Sequence, residues 1–303
     1  MENPLLSLST HLATLVEQAG PAVVAIDSSR AGSSGVHWRP GIIVTAEHAL
    51  RRDDDVRIVV GPGRETKAEL AGRDPGTDLA ILKVAGFDGP VAAQASASDL
   101  KTGNLALALG RSRNGNVTAA FGIVSNVSGA WQTWRGGRLD RYIRLDVAVY
   151  PGASGGAAID AAGNVIGIAT AALSRTSPIT IPNETVERVV DAILAHGSVP
   201  RGYLGVGLQP VALPDHLRSK LNLAQQTGLM IVSVHGDGPA DKGGVLMGDV
   251  LLELGGTAVA DTDDVQVALD AGTVGKKIAA KVIRAGAPVE LRITVGQRPG
   301  RRC

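Results

Sequence analysis

The chain has almost no cysteine and few aromatic side chains. Its single cysteine is Cys303, the last residue, so no intrachain disulfide can form and no cysteine-based metal site is available. Aromatic residues make up 3% of the 303 residues, whereas glycine occurs 39 times. This composition favours turns and small-residue packing over long helices, so we expect many short strands stabilised by packing alone.

Charge of one sign and long apolar runs are also scarce. The formal net charge is +1, which gives no electrostatic reason to expect nucleic acid. The arginines between Arg111 and Arg144 are dispersed among Gly, Trp and Asp, and we interpret them as a solvated loop surface. No stretch approaches the roughly 18 apolar residues of a membrane span, and polar residues interrupt the leucines of residues 1–16. We therefore expect a soluble chain without an export signal, cytoplasmic if Met1 is the native start and periplasmic if a signal was removed.

The length exceeds what one core usually organises, and the first domain is predicted to be mainly β over residues 1–198, with a helical segment at residues 1–20. Short apolar runs bounded by Gly, Pro, Asn or Asp are typical of sandwiches and barrels. They predict strands at 22–26, 41–45, 56–60, 79–84, 105–109, 122–127, 142–149, 157–160 and 165–171. Apolar residues at helical spacing predict a closing helix over 183–196 that ends at Gly197.

A second, α+β domain is predicted over residues 203–297, after a Gly- and Pro-containing linker at 199–202. A short helix is predicted at 239–242 and a longer one at 262–271, with Asp261 as its N-cap. Strands are predicted at 205–211, 229–234, 249–254, 277–283 and 289–295, and residues 298–303 are expected to form a disordered tail.

Ser154 lies in a glycine-rich turn that suits a nucleophile. Hydrolysis of a peptide bond by a hydroxyl needs a base, an acid that orients the base, and amide donors for the developing oxyanion. The glycines of the segment 151–156 (PGASGG) let the backbone turn so that the amides of Gly152 and Ser154 can converge on one point. By itself this motif is not specific, because a Gly/Ser turn also arises by chance in a chain with so many glycines.

His48 and Asp78 are the candidate base and orienting acid. His48 directly follows an apolar strand, where it could face a cleft, although a lone histidine there is more often a structural residue. Asp78 stands at the mouth of a buried strand, so its carboxylate needs a partner, and a histidine N–H would serve. Asp74, in the preceding turn, is expected to cap that turn. The chain order His48, Asp78, Ser154 is the chymotrypsin order, which makes the three signals much stronger together than apart.

The segments that carry these residues resemble the HtrA/Deg family of trypsin-like serine endopeptidases. The matching segments are 44–48 (VTAEH), 74–80 (DPGTDLA), 121–125 (FGIVS) and 151–156 (PGASGG), in the family's order, and the likeness continues from 21–24 (PAVV) to 201–206 (RGYLGV). The resemblance implies a chymotrypsin-like pair of six-stranded β-barrels with His48 as base, Asp78 as orienter and Ser154 as nucleophile. It implies an oxyanion hole at Gly152 and Ser154, and no cofactor or metal.

The resemblance also implies a substrate pocket at Ala148, Ala172 and Leu173. Because Ala148 offers no acid at the pocket floor, we expect cleavage after small or medium aliphatic residues such as Val, Ala or Leu rather than after Arg or Lys. The chain departs from the family at Ala153, where Asn is usual, in a shortened loop at 173–182, and in the missing anchor or signal. These departures concern regulation and location, because no triad residue is lost.

The second domain resembles a PDZ domain, whose backbone amides capture the C-terminal carboxylate of a peptide that adds as a strand. The matching residues are Tyr203, Leu204, Gly205 and Val206, and the helix after Asp261 would form the other wall of the groove. A closed domain with a non-functional groove is the alternative, because the sequence does not separate core from groove residues.

The favoured function is an endopeptidase acting on unfolded or damaged polypeptides in protein quality control, with C-terminal peptides bound at the PDZ domain. One alternative is a protease-fold peptide-binding or chaperone protein that is weak or inactive in catalysis. Another is a cofactor-binding β protein, which the missing phosphate loop and metal-spaced histidines disfavour. Family members commonly form trimers with the help of N-terminal aromatics, but residues 1–20 contain none, so a homotrimer stays open.

Overall fold

The computed structural model describes residues 3–27, 32–51, 54–95, 97–150, 152–174, 176–269 and 271–297. The expected tail at 298–303 lies outside these residues. The chain divides into two compact units, the first ending at Val199 and the second beginning at Pro200. The sequence assigned Gly202 to the linker, but in the structure Gly202 pairs with Gln297 and belongs to the second unit.

Within the described ranges, the first unit contains two helices and fourteen strands. The helices are α1 (Pro4–Ala19) and α2 (Asn183–His196), with 3-10 turns at Gly20–Ala22, Glu47–Ala49 and Ala97–Asp99. The strands of its first half are β1 (Val23–Asp27), β2 (Ser33–Arg39), β3 (Ile42–Ala46), β4 (Val56–Gly61), β5 (Arg64–Asp74) and β6 (Leu79–Lys83). Those of its second half are β7 (Leu105–Arg111), β8 (Val117–Ser128), β9 (Trp131–Gln132), β10 (Arg138–Leu139), β11 (Tyr142–Asp146), β12 (Ala157–Asp160), β13 (Val165–Thr170) and β14 (Ile179–Pro182).

These strands close into two six-stranded antiparallel barrels. The first has the order β1-β2-β3-β6-β5-β4 and the second the order β11-β14-β13-β12-β7-β8, while β9 and β10 form a separate hairpin. The fold class expected from the resemblance is thereby confirmed. The nine predicted strands do not include β2, β5, β9, β10 or β14. β5 escapes the pattern because its residues are mostly polar or part-exposed, and its length comes from pairing with β4 and β6.

Each barrel has its own core, and a third apolar cluster joins them. Val24, Ile26 and Ile43 belong to the first barrel's core, whereas the second barrel is packed with several alanines, as the low aromatic content requires. The joining cluster includes Trp38, which is fully buried, and the inner face of α2. The predicted helix at 183–196 is confirmed, and Gly197 ends it in the left-handed conformation (φ 73°) that glycine adopts without cost.

Arg111 corrects one expectation from the sequence. It is only 8% exposed, so its interpretation as part of a solvated loop surface is wrong. Its guanidinium donates to the carbonyl oxygens of Val23, Gly115 and Gly20, and these acceptors offset the cost of burying the charge. Burial nevertheless lowers the pKa of Arg111 below its ordinary value.

The second unit is a mixed α+β structure built on a sheet of order β16-β17-β18-β20-β21, with β19 paired to β18. Its strands are β15 (Gly202–Tyr203), β16 (Val206–Ala212), β17 (Thr227–Val234), β18 (Val250–Leu254), β19 (Thr257–Ala258), β20 (Lys277–Arg284), β21 (Ala287–Thr294) and β22 (Gly296–Gln297). Its helices are α3 (Asp215–Leu221), α4 (Pro239–Lys242) and α5 (Thr262–Ala268), with a 3-10 turn at Ala271–Thr273. α3 was not predicted, whereas the short helix at 239–242 and the capping role of Asp261 are confirmed.

Asp249 is a buried carboxylate that stabilises this unit. It is 1% exposed and accepts two hydrogen bonds from Arg284, at 2.8 and 2.7 Å, and one from the Leu246 N–H at 2.9 Å. Burial alone would raise the pKa of Asp249, but the bonds from Arg284 and Leu246 outweigh it, so the pKa lies below its ordinary value. The charged form is therefore favoured in the folded state.

The Asp249→Asn variant is expected to lower the free energy of unfolding of the second unit by about 2–3 kcal/mol at neutral pH, because an amide hydrogen would face a donor. Since folding lowers the pKa of Asp249, its contribution is complete above the unfolded-state pKa of about 4 and is lost as the pH falls through the folded-state value. Hydrogen exchange of the strand amides measures this contribution. The difference in the free energy of unfolding between wild type and variant is expected to narrow as the solution is made acidic. Glu253→Gln, which removes an exposed ion pair with Lys281 in the same sheet, should leave exchange nearly unchanged. A pH-independent gap for Asp249→Asn would contradict the assignment.

Candidate active site

Asp78 lies in the tight turn between β5 and β6 with its carboxylate fully buried. The turn is capped as predicted, because Asp74 accepts hydrogen bonds from the Gly76 N–H (3.3 Å) and the Thr77 hydroxyl (2.7 Å). Asp78 adopts a left-handed conformation (φ 60°), which aspartate tolerates better than most residues with a side chain.

His48 is the partner that the buried carboxylate requires. It lies in the 3-10 turn Glu47–Ala49, directly after β3, and its side chain is 30% exposed. Its Nδ1 is 2.9 Å from Asp78 Oδ2 and 3.0 Å from Oδ1, and its backbone N–H donates to Oδ1 at 2.9 Å. Because the carboxylate accepts at Nδ1, the neutral imidazole carries its proton there and leaves Nε2 free to accept a proton.

Ser154 lies in the turn between β11 and β12 and is 9% exposed. Its Oγ accepts a hydrogen bond from the Ala171 N–H at 3.3 Å. Among the described residues, no hydrogen bond joins Ser154 Oγ to His48. The two side chains come from different barrels of one unit.

The backbone amides of the turn at 152–156 divide into two groups. The N–H groups of Ala153, Gly155 and Gly156 donate to carbonyl oxygens at 2.9, 2.8 and 3.0 Å. Those of Gly152 and Ser154 have no acceptor within the part of the chain that the structure describes. Gly152 has a φ of 89°, which glycine tolerates without strain. Two neighbouring free donors beside a serine hydroxyl are what an anionic oxygen needs. Pro151, part of the predicted motif, lies outside the described residues.

Thr170 is a site residue that the sequence did not reveal. It ends β13, is fully buried, and donates its hydroxyl hydrogen to Asp78 Oδ2. The Thr170 hydroxyl oxygen in turn accepts from the Ala172 N–H at 3.1 Å. A threonine at the end of a strand is common, so its only signal is its position just before the predicted pocket residues. Its bond completes the set of donors around the Asp78 carboxylate.

The β9–β10 hairpin also reaches the site, and it too was missed. Arg135, in its turn, has Nη1 at 3.9 Å from Asp78 Oδ1 and 3.7 Å from Glu47 Oε2. Thr133 anchors the hairpin by donating to the Gly76 carbonyl oxygen at 2.6 Å. The hairpin therefore places a positive charge near the buried carboxylate, and Arg135, like Arg111, is not part of a freely solvated surface: its side chain is 26% exposed.

The predicted pocket residues lie in different surroundings. Ala148 is exposed and Ala172 half-buried, whereas Leu173 is 2% exposed and packs in the cluster that joins the barrels. Ala153, the departure from the family pattern, is 7% exposed. A side chain on the neighbouring Gly110 would approach the Ala153 Cβ to 3.0 Å, so this part of the turn is tightly packed.

The predicted peptide-binding residues lie at the start of the second unit's sheet. Tyr203 belongs to β15, and Gly205 has a φ of 79° just before β16 begins at Val206. The carbonyl oxygens of Leu204 and Gly205 accept from Ala240 and His235 N–H groups, both at 2.8 Å. β16 stands at one end of the sheet order, and among the described strands it pairs with β17 alone, so in this part of the chain one of its edges carries no strand.

Neither a metal centre nor a membrane helix is found in the ranges described. Those residues contain no group of three or more His, Cys, Asp or Glu placed to hold a metal ion. Within the same ranges no helix is long and apolar enough to cross a membrane.

Comparison with known proteins gives matches in both units. Residues 33–168 match the model of the trypsin-like peptidase domain, and residues 202–295 match that of the PDZ domain. A solved HtrA-type protease, AlgW with a decapeptide, is 32% identical, with 95% of this chain and 99% of that chain covered and a TM-score of 0.78. The serine endoprotease from Yersinia pestis is 25% identical, with 95% and 98% covered and a TM-score of 0.76. A probable periplasmic serine endoprotease, DegP-like, from Brucella suis is 34% identical over 275 residues, which are 88% of this chain and 53% of that protein. The chain thus spans about half the length of the curated relatives it matches.

Proposed function

Since this chain belongs to the HtrA family of trypsin-like serine proteases with a C-terminal PDZ domain, we propose that it is an endopeptidase that hydrolyses peptide bonds in unfolded polypeptides. The observation that carries the proposal is the hydrogen-bonded pair of the buried Asp78 carboxylate and His48, together with Ser154, whose turn has two free amide donors. Acyl transfer needs these groups and no cofactor. A role in protein quality control is part of the proposal and is inferred from the family.

In this mechanism Ser154 Oγ attacks the scissile carbonyl carbon while His48 Nε2 takes the hydroxyl proton. Asp78 keeps the proton of the neutral imidazole at Nδ1 and stabilises the imidazolium that forms. The N–H groups of Gly152 and Ser154 stabilise the negative oxygen of the tetrahedral intermediate. His48 then donates its proton to the leaving amine. Before attack, Ser154 Oγ must turn from the Ala171 N–H towards His48, a rearrangement common on substrate binding.

We propose that the substrate pocket is formed around Ala148, Ala172 and Leu173. The support is that Ala148 is exposed and carries no charge, so a basic substrate side chain would find no carboxylate there. Small or medium aliphatic side chains, such as those of Val, Ala and Leu, suit such a surface.

We propose further that the second unit binds peptide C-termini at Tyr203, Leu204, Gly205 and Val206. The available edge of β16 suits a peptide added as a strand, and the strand begins just after the Gly205 turn. α5 is the candidate for the other wall of the groove. The solved AlgW structure contains a decapeptide.

A second candidate function is a peptide-binding protein with weak or no catalysis. The observation that favours it is the hydrogen bond of Ser154 Oγ to the Ala171 N–H in place of one to His48. The two functions share the fold and differ in whether the serine can turn to the base. A measurement of catalysis therefore distinguishes the two functions, whereas a measurement of peptide binding does not.

Digestion of unfolded casein tests both the activity and the pocket. We expect the wild-type chain to cleave casein, and mass spectrometry of the fragments should place most cuts after Val, Ala or Leu. Cuts mainly after Arg or Lys would overturn the pocket proposal and leave the activity standing. No cleavage, even with hydrophobic peptides bearing a free C-terminal carboxylate added, would favour the peptide-binding function.

A further inference from the structure

Ser34 joins the first barrel to the turn that carries Ser154. It lies on β2, is fully buried, and makes two hydrogen bonds to the turn. Its N–H donates to the Ser154 carbonyl oxygen at 3.0 Å, and its hydroxyl donates to the Gly152 carbonyl oxygen at 2.7 Å. The fit is close, because a side chain on Gly155 would come within 2.2 Å of the Ser34 carbonyl oxygen.

The direction of the Ser34 hydroxyl is set by a third bond. Ser34 Oγ accepts from the Arg111 N–H at 2.9 Å. A serine hydroxyl has one hydrogen, so with this donor on its oxygen that hydrogen is left for the Gly152 carbonyl. Arg111 is itself held by its bonds to backbone carbonyls, including that of Gly20 at 2.9 Å. The hydroxyl is therefore a preoriented donor in a dry environment.

The bonds of Ser34 fix the two peptide units that flank the Ser154 amide. In the unit between Gly152 and Ala153, the carbonyl binds Ser34 and the N–H donates to Tyr150. In the unit between Ser154 and Gly155, the carbonyl binds the Ser34 N–H and the Gly155 N–H donates to the Ala169 carbonyl oxygen at 2.8 Å. Each flanking peptide unit is held by hydrogen bonds at both ends. The directions of the free Gly152 and Ser154 N–H groups are therefore set by these two units.

We propose that Ser34 is a positioning residue for the oxyanion hole, holding the Gly152 carbonyl so that the Gly152 and Ser154 N–H groups stay directed at the developing oxyanion. The inference rests on the proposed endopeptidase function. Gly152 needs such support because glycine adopts either sign of φ readily, so its own conformational preference does not hold the turn at a φ of 89°. Ser34 does not touch the substrate, and it acts through Gly152.

Ser34→Ala tests the proposal, with Ser33→Ala as its matched control. Ser33 is also buried, at 2% exposure, but its hydroxyl has no partner in the described part of the chain. Ser34→Ala is expected to lower kcat about 10- to 100-fold with KM nearly unchanged, since misdirected oxyanion donors weaken binding of the transition state only. Peptide aldehydes, whose serine adduct uses the same donors, should bind less tightly by a similar factor. Ser33→Ala should keep wild-type values.

Ser34→Cys provides a second variant of similar volume that retains a weak S–H donor. We expect its kcat to lie between those of wild type and Ser34→Ala. Wild-type kcat and aldehyde affinity in Ser34→Ala would overturn the proposal, as would a rise in KM that accounts for the whole loss. Absence of hydrolysis by wild type would instead refute the endopeptidase function, so the two failures are distinguishable.

Discussion

Replacing Ser154 with alanine is expected to lower kcat for hydrolysis of casein or a peptide by about a million-fold, because the hydroxyl that we propose as the nucleophile is removed. The other groups remain in place, since the Asp78–His48 bond of 2.9 Å does not involve the serine side chain. Ser154 Oγ has only the Ala171 N–H as a hydrogen-bond partner in the described structure, so its loss should leave the fold and the KM nearly unchanged. The effect should therefore fall on kcat alone.

The control for this variant is Ser219→Ala, an exposed serine on α3. It should retain full activity. A serine-directed phosphonylating probe should label the wild-type chain once, at Ser154, and should label Ser219→Ala equally. Proteolysis that persists in Ser154→Ala would mean that another group is the nucleophile, and labelling at a different serine would locate it.

The sequence predicted the triad because each member stands beside a strong local signal. His48 and Asp78 flank apolar strands, and Ser154 lies among glycines that permit its turn. The residues that support them carry no such signal. Ser34 and Thr170 are ordinary polar residues on strands, and their partners are 118 and 92 residues away along the chain. Contacts of that separation arise only when the two barrels pack together.

Elements held by tertiary contacts were missed for the same reason. The two-residue strands of the β9–β10 hairpin are too short for a period-2 pattern, and their docking depends on Thr133 reaching the Gly76 carbonyl. α3 has seven residues and fully buries none of them, and its apolar side chains are only those of Leu217 and Leu221, a stripe too short to predict a helix.

Helix α5 shows how a local signal fixes one end of an element and not the other. Its start is fixed by a capping box, in which the Asp261 side chain accepts from the N–H groups of Asp263 and Asp264. The predicted end at residue 271 is too late, because Leu269 already leaves the helical region (φ −104°, ψ 39°).

Asp78→Asn is expected to lower kcat by about 10,000-fold while preserving the shape of the site. The Asp78 carboxylate accepts from the His48 N–H, from His48 Nδ1 and from the Thr170 hydroxyl. An asparagine can accept through its oxygen, but its amide nitrogen donates, and when it faces Nδ1 the imidazole must carry its proton on Nε2 instead. A histidine protonated at Nε2 cannot take the proton of Ser154, and the negative charge that stabilises the imidazolium is also lost.

Asp74→Asn is the matched control, since it changes a carboxylate of the same turn. Asp74 is 3% exposed and caps Gly76 and Thr77, so this variant should lower stability while its kcat falls far less than that of Asp78→Asn. Thermal unfolding and kcat measured together separate the two effects. If Asp78 acts by orienting His48, Asp78→Asn loses catalysis with little change in unfolding and Asp74→Asn shows the reverse. Near wild-type kcat in Asp78→Asn would mean that the buried pair only stabilises the turn, and the triad would then be wrong.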